Sequence, residues 1–179
     1  MENRSNKTRN LVRIAMIAAI YTVLTLVIAP LSFGVVQFRI SECLTVLPAF
    51  TVLGIPGLTL GCCLSNLVGA MLGMNPTGYL DAVIGSIATL LAAFCSWQLG
   101  KCPNRWARYL LVPLPPVFFN GLIVGGLELG LLFNQGGASA AAFWFNAGSV
   151  ALGEAVICYT LGILMMVLLG RKDFYRRLF

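Results

Sequence analysis

The stretch Gln37-Phe38-Arg39-Ile40-Ser41-Glu42 brings an amide, a cation and an anion together within six residues of a very apolar chain. Apolar segments flank it on both sides, whereas most of the other charged residues lie beyond the ends of apolar runs. If those apolar segments span a membrane, these charges lie where charge is costly, and such residues are functional-site hypotheses by default. The stretch therefore predicts a polar site enclosed by membrane helices.

The composition of the chain is typical of an integral membrane protein. Of its 179 residues, 59% are apolar and 10% are charged, whereas a soluble domain carries about 25% charged residues. A soluble fold of this composition would expose apolar patches large enough to drive aggregation. Since no charged or Pro/Ser-rich linker divides the chain, we expect one membrane domain over residues 11–169, with a basic N-terminal segment (1–10) and a basic tail (170–179) outside it.

Apolar runs and the chain breakers between them predict an all-α bundle of six transmembrane helices. The predicted spans cover residues 11–29, 41–53, 58–72, 79–99, 110–133 and 143–169. The second and third are short for a hydrocarbon core of about 30 Å, so they are either tilted or partly buried in protein. The first is as long as a full span and no small-residue cleavage pattern follows it, so we expect no cleavable signal peptide.

The basic residues predict the orientation of the bundle. The N-terminal region carries four of the twelve Lys and Arg residues, the loop between the fourth and fifth spans carries three, and the tail carries four. By the positive-inside rule, this places both termini on the cytoplasmic side of the plasma membrane and leaves Arg39 on the outer side. The net charge of +6 thus reflects topology, and we expect no nucleic-acid partner.

Four acidic residues accompany Arg39 in the outer half of the predicted bundle. One base can neutralise one acid, so the surplus predicts protonated carboxyls or a ligand that brings cationic or donor groups. Asn120 lies eight residues before Glu128. The same spacing separates Asn146 from Glu154, and eight residues is a little over two helical turns, so each pair shares roughly one face. The candidate binding residues are Gln37, Arg39, Glu42, Asp81, Asn120, Glu128, Asn146 and Glu154.

Each of these residues also has a purely structural interpretation. Arg39 and Glu42, three residues apart, could form a local ion pair at the membrane interface. Asp81 could cap the fourth helix or stabilise its first turn. Glu128 could reach the headgroup region, and Glu154 could make a structural hydrogen bond in its protonated form. The asparagines could join helices through hydrogen bonds.

Small residues recur at every fourth position in three of the predicted spans. They comprise Ala15-x-x-x-Ala19 with Ala18 beside it, then Gly61, Ser65, Gly69 and Gly73, and finally Gly121-x-x-x-Gly125. Such stripes let helices approach closely in lipid. Packing inside the bundle is the first interpretation, and docking of another membrane protein is the alternative.

The chain lacks the motifs of common catalytic and metal sites. It contains no histidine, none of its six cysteines forms a CxxC pair, and it has no Walker A or GxSxG motif. We therefore predict no catalytic residues, no metal and no cofactor in this chain, and interpret the cysteines as packing residues.

At residues 37–42, followed by Leu44 and Leu47-Pro48, the chain resembles the QueT family of queuosine-precursor transporters. Ala19-x-Tyr21 and Leu24-Thr25 in the first span extend the resemblance. So does the run Asp81-Ala82-Val83-Ile84-Gly85-Ser86-Ile87-Ala88-Thr89-Leu90-Leu91-Ala92, which opens the fourth span.

The resemblance implies the substrate-binding S component of an energy-coupling-factor (ECF) transporter, a six-helix bundle with its ligand site near the outer face. Such a subunit works with a membrane T component and two cytoplasmic ATPase subunits, which use the ATP. It implies that Ala15, Ala18 and Ala19 dock on the T component, and that the loaded subunit topples in the membrane to release its ligand inside.

The ligand that the resemblance implies is a 7-deazaguanine, with the aminomethyl form preQ1 expected. Its guanine edge offers two adjacent donors, which one carboxylate can accept together, and its aminomethyl cation would take a second carboxylate. We expect Glu42 or Asp81 to bind the edge and Glu128 or Glu154 to bind the amine. The oxygen O6 would accept from Arg39, Gln37, an asparagine or a backbone N–H, and the candidate stacking residues are Phe33, Phe38, Tyr79 and Trp144.

Three other functions stay open on the sequence alone. The chain could be an S component for another small heterocyclic vitamin or nucleobase. It could be a stand-alone, carboxylate-dependent proton-coupled transporter with Glu154 as the proton relay. It could also be a membrane enzyme that uses paired carboxylates, although no motif supports that function.

Overall fold

The computed structural model describes residues 2–34, 36–134 and 136–170, without the side chains of residues 2–5. The helices are α1 (Glu2–Val27), α2 (Ala29–Ser32), a 3₁₀ helix (Ile40–Ala49), α3 (Gly54–Met71), α4 (Tyr79–Leu99), α5 (Arg105–Leu132) and α6 (Ala140–Leu169). The predicted all-α class is confirmed for the described residues. Of the basic tail predicted over 170–179, everything after residue 170 lies outside the described residues.

Five helices of the described chain are long and apolar enough to cross a membrane: α1 from Asn6, α3, α4, α5 and α6. The six-helix count is therefore not confirmed, because the second predicted span is the ten-residue 3₁₀ helix Ile40–Ala49. At about 2 Å per residue, a 3₁₀ helix of this length falls well short of a hydrocarbon core of about 30 Å. Pro48, which lies inside it and has no N–H, removes one backbone donor.

The boundaries of the long helices follow local signals. The predicted bounds of the fourth span, 79–99, are those of α4, which begins after Gly78 at a φ of 66°. This left-handed conformation suits glycine because it has no Cβ. α5 begins earlier than predicted, where the Asn104 side chain accepts a hydrogen bond from the Trp106 N–H at 3.0 Å.

The glycine stripe of α3 packs against α1 inside the bundle. A Cβ placed on Gly61 would lie 2.7 Å from the Tyr21 Cβ, and one on Gly57 would lie 2.8 Å from the Ile17 Cβ. Close approach of the two helices therefore requires glycine at these positions. Gly73, the last member of the predicted stripe, lies beyond α3 in an exposed turn at a φ of 68°.

The small residues of α1 do not share one environment. Ala15 and Ala19 are exposed, whereas Ala18 is buried, and its carbonyl oxygen lies 3.0 Å from the position of a Cβ on Gly61. The predicted docking set thus divides into two exposed residues and one residue of the interior contact with α3.

α5 and α6 also meet through glycines. A Cβ on Gly121 would lie 2.9 Å from the Ala151 Cβ, and one on Gly125 would lie 2.6 Å from the Asn146 carbonyl oxygen. Both helices contain π-helical segments, Asn120–Leu132 in α5 and Cys158–Gly162 in α6. Such segments occur frequently at functional sites, and they change which residues face the interior.

Candidate functional site

Seven of the eight predicted binding residues are buried in the bundle: Gln37, Arg39, Glu42, Asp81, Asn120, Glu128 and Glu154. Polar residues are seldom buried without partners, and buried carboxyls least of all. The exterior shows the opposite character, since α1 exposes Leu11, Met16, Ile20, Val23 and Val27 as a lipid-facing helix does. The polar site thus lies inside an apolar shell.

Asn146 is the exception among the predicted residues. It is half-buried, and its amide donates to the Ala142 carbonyl oxygen one turn earlier in α6, at 2.9 Å. The eight-residue spacing to Glu154 therefore does not bring both side chains into the buried site.

Arg39 is held by contacts to two other segments of the chain, the end of α2 and the first turn of α4. Its Nη2 donates to Asp81 Oδ2 at 3.0 Å, and its Nε donates to the Ser32 carbonyl oxygen at 3.1 Å. Its guanidinium carbon lies 5.3 Å from the centre of the Phe33 ring. The ion pair thus joins residues 42 positions apart, and a local salt bridge between Arg39 and Glu42 is not formed.

Asp81 lies in the first turn of α4 and receives a second donor, the Asn75 amide, at 2.7 Å. The Asn75 side-chain oxygen accepts in turn from the Thr77 hydroxyl at 2.8 Å. Asn66 of α3 donates to the Asp81 backbone carbonyl at 3.0 Å. The Asp81 side chain does not cap α4, but it lies in the first turn as the structural interpretation expects, and it also organises this group of residues around Arg39.

A second group of polar side chains joins α1, the 3₁₀ helix, α5 and α6. The Tyr21 hydroxyl donates to Glu42 Oε1, and the Asn120 amide donates to Glu154 Oε1 at 3.1 Å. The Asn120 side chain also interacts with Glu42. The Cys158 thiol lies 3.9 Å from Glu154 Oε2. Glu42 and Glu154, which are 112 positions apart in the sequence, therefore meet around one asparagine.

Several buried oxygens of the site have no hydrogen-bond donor in the part of the chain that the structure describes. They are Glu42 Oε2, Asp81 Oδ1, Asn66 Oδ1 and both carboxyl oxygens of Glu128. The side chains of Thr77 and Asp81 interact with Glu128, although neither donates a hydrogen bond of normal geometry to its carboxyl oxygens. An amide oxygen and the oxygens of an ionised carboxylate are acceptors, and an unsatisfied buried acceptor costs about 1–3 kcal/mol. The site is therefore suited to a ligand rich in donors.

A family model described as "QueT transporter" matches residues 11–171. The chain belongs to the QueT transporter family. A curated relative, "Queuosine precursor transporter QueT" of Lactococcus lactis subsp. cremoris (strain MG1363), is 32% identical over 90 residues, which are 49% of this chain and 49% of the relative. The chain thus spans about half the length of that relative. No solved structure matches the chain.

Membership of the QueT family and the five long apolar helices identify a multi-pass membrane protein of a transporter family, not of an enzyme family. The family match covers α1 from residue 11 onward and all the later helices that contribute to the polar site. It confirms the family resemblance seen in residues 37–42 and 81–92.

Gln37 enters the site of this QueT-family chain through a close backbone contact. A Cβ on Gly153 of α6 would collide with the Gln37 carbonyl oxygen, so the segment before the 3₁₀ helix lies directly on α6. The backbone of Gln37 therefore contacts α6 at Gly153, the residue that precedes Glu154.

The aromatic candidates divide by exposure. Phe33 is buried beneath Arg39, and Phe38 is half-buried. Tyr79 and Trp144 are 61% and 66% exposed, and so face away from the buried site of the QueT-family fold. Of these four candidates, Phe33 is the one whose ring contacts a residue of the site, Arg39.

Sequence reasoning missed Tyr21, Asn75 and Thr77 as residues of the site. Asn75-Pro76 reads as a chain breaker, and Tyr21 lies in an ordinary apolar span. The only feature of the sequence that could have indicated these residues is their polarity, since a hydroxyl or amide group inside a membrane needs a hydrogen-bond partner.

Proposed function

We propose that this chain is the substrate-binding S component of an ECF-type importer, and that it captures a queuosine precursor, the 7-deazaguanine preQ1, at the outer face. The observation that carries the proposal is the set of buried acceptor oxygens without donors on Glu42, Asp81 and Glu128. preQ1 supplies N1–H, an exocyclic amine and an ammonium group, all donors. The name of the Lactococcus lactis relative, a queuosine precursor transporter, supports the same class of ligand.

The charge of the site favours a cationic over an anionic ligand. Arg39 is already paired with Asp81, and three further carboxyls, those of Glu42, Glu128 and Glu154, lie buried in the same interior. Burying several carboxylates together is costly unless cations or protons compensate them. An ammonium group on the ligand provides that compensation, whereas an anionic vitamin would add to the repulsion.

Energy for transport would come from partner subunits, a membrane T component and two cytoplasmic ATPases, since the sequence has no Walker A motif. In this proposal the exposed face of α1 around Ala15 and Ala19 docks on the T component. The distribution of basic residues favours two cytoplasmic termini, and this orientation requires the segment over residues 28–53 to cross the membrane in addition to the five long helices. The loaded subunit then topples to release its ligand inside the cell.

A stand-alone proton-coupled transporter is the second candidate, and the arrangement around Glu154 favours it. Glu154 is buried, accepts from Asn120 and interacts with Glu42, as a carboxyl that exchanges protons would. This candidate predicts uptake by the chain alone in liposomes with a proton gradient. The ECF proposal predicts no uptake until the T component, the ATPases and ATP are added.

The deciding experiment is calorimetric binding of preQ1 to the purified chain in detergent, with the nitrile analogue and guanine measured beside it. We expect preQ1 to bind most tightly and guanine more weakly, because guanine lacks the ammonium group. If none of the three binds, the proposed ligand class is wrong.

A further inference from the structure

The buried carboxyls of the site differ in how many of their oxygens already have a partner. Glu154 uses both, toward Asn120 at 3.1 Å and toward the Cys158 thiol at 3.9 Å. Glu42 and Asp81 each keep one oxygen without a donor. Glu128 is fully buried, and neither of its oxygens has a donor among the described residues. Glu128 can thus accept two hydrogen bonds without losing one that it already makes.

We propose that Glu128 binds the two-donor edge of the deazaguanine ring and that the Glu42–Glu154 pair binds the aminomethyl cation. This inference rests on the function proposed above and assigns roles within the same site. The ring edge presents N1–H and the exocyclic amine side by side, and one carboxylate accepts both in a bidentate, charge-assisted pair. The roles of Glu42 and Glu128 are then the reverse of those expected from the sequence.

The immediate surroundings of the carboxyls support the same assignment. The neighbour of Glu128 is Asp81, whose charge is balanced by its ion pair with Arg39. Glu42 and Glu154 interact with each other, and their hydrogen-bond donors are the neutral side chains of Tyr21, Asn120 and Cys158. Arg39 attracts the carboxylates of Glu42, Glu128 and Glu154 over a longer range, so this attraction does not decide which of them binds a cation. A cation is therefore stabilised most between Glu42 and Glu154.

The register of α5 against α6 gives the two positions a suitable separation. Gly130 packs on Phe143, and Gly125 packs on Ala147 and the Asn146 carbonyl, so Glu128 is level with residues near 144 of α6. Glu154 lies roughly ten residues further along α6, which corresponds to about 15 Å of helix. Both glutamate side chains lean toward the N-terminus of their own helix, and so toward each other in this antiparallel pair. A ligand with donors at two opposite ends fits such a spacing.

The test compares three ligands that share the ring edge: preQ1, its 7-cyano analogue and 7-deazaguanine. Of these, preQ1 alone carries the ammonium group. Calorimetry on the full chain in detergent should show that Glu128→Gln weakens all three by a similar factor, at least about tenfold, because an amide cannot accept both donors. Glu154→Gln and Glu42→Gln should weaken preQ1 by at least about tenfold and the 7-cyano analogue by less than about threefold.

Two results would overturn the assignment. In one, Glu128→Gln weakens the binding of preQ1 alone; in the other, Glu154→Gln weakens the binding of all three ligands equally. Unchanged binding in Glu128→Gln would overturn it as well. Failure of the wild-type chain to bind any of the three is a different result, because it refutes the proposed function itself. Gel filtration and thermal unfolding check the fold of each variant. If Glu128→Gln does not fold, Glu128→Asp, which keeps both oxygens, must weaken all three ligands equally.

Discussion

Arg39 and Asp81 form a buried ion pair, 3.0 Å between Nη2 and Oδ2, that ties the segment before the 3₁₀ helix to the first turn of α4. Neither partner has another full charge in hydrogen-bond contact within the described chain. The pair holds together the group of polar side chains around Asp81, which includes Asn66 and Asn75.

Removal of Asp81 alone should destabilise the protein severely. Asp81→Ala leaves the Arg39 guanidinium buried without its counter-charge, and breaking a buried pair in this way costs about 3–5 kcal/mol. Thermal unfolding in detergent measures the loss. The double variant Arg39→Met/Asp81→Ala is the control, and it should be more stable than Asp81→Ala because no charge is left unpaired. A double variant less stable than the single one would contradict this account.

Gly61→Ala should destabilise the contact between α1 and α3. The added Cβ would lie 2.7 Å from the Tyr21 Cβ, and overpacking of this kind costs about 1–3 kcal/mol. Gly148→Ala is a matched control, since a Cβ there has nothing within 4 Å. That control should be neutral or stabilise α6 by up to about 1 kcal/mol, because alanine is the better helix former. Equal melting temperatures for the two variants would argue against close packing at Gly61.

Asn120→Ala and Asn146→Ala should differ in ligand binding although both remove one amide. Asn120 supplies the donor to Glu154 Oε1, whereas Asn146 donates within its own helix. We expect Asn120→Ala to raise the dissociation constant for preQ1 by about tenfold, because one hydrogen bond to a charged group contributes about 1.5–3 kcal/mol. Asn146→Ala should raise it by less than about twofold. The comparison fails if Asn146→Ala has the larger effect.

Substitutions at two neighbouring residues test the exposed and the buried face of α1 separately. Ala19→Trp adds bulk on the exposed side of α1, so it should reduce co-purification with the proposed T component and leave binding of the proposed ligand preQ1 unchanged. Ala18→Trp would force a large side chain into the contact with Gly61 and should destabilise the chain itself. Normal co-purification of a folded Ala19→Trp variant would exclude this face as the docking surface.

Much of the fold could be predicted because membrane helices leave strong local signals. The apolar run that follows Gly78 predicts both ends of α4 correctly, and the stripe of small residues around Gly61 correctly indicates packing inside the bundle. The 3₁₀ geometry of Ile40–Ala49, for which the sequence predicts a sixth span that is not confirmed, could not be foreseen, since an apolar run does not reveal the pitch of its backbone. The π-helical segment from Asn120 was also not predictable, because i→i+5 hydrogen bonding depends on how α5 packs against its neighbours.

The sequence by itself determined the membrane class, most helix positions and the identity of the buried acids, since hydrophobicity and charge are properties of each residue in its own segment. Only the tertiary structure decided which acids have partners and which keep open oxygens. Asp81 pairs with Arg39, Glu154 accepts from Asn120 and Glu42 accepts from Tyr21, through contacts between residues 21 to 42 positions apart in the chain. Glu128 is left with two open oxygens because no donor of the described chain reaches it, and that depends on packing geometry rather than on residue type.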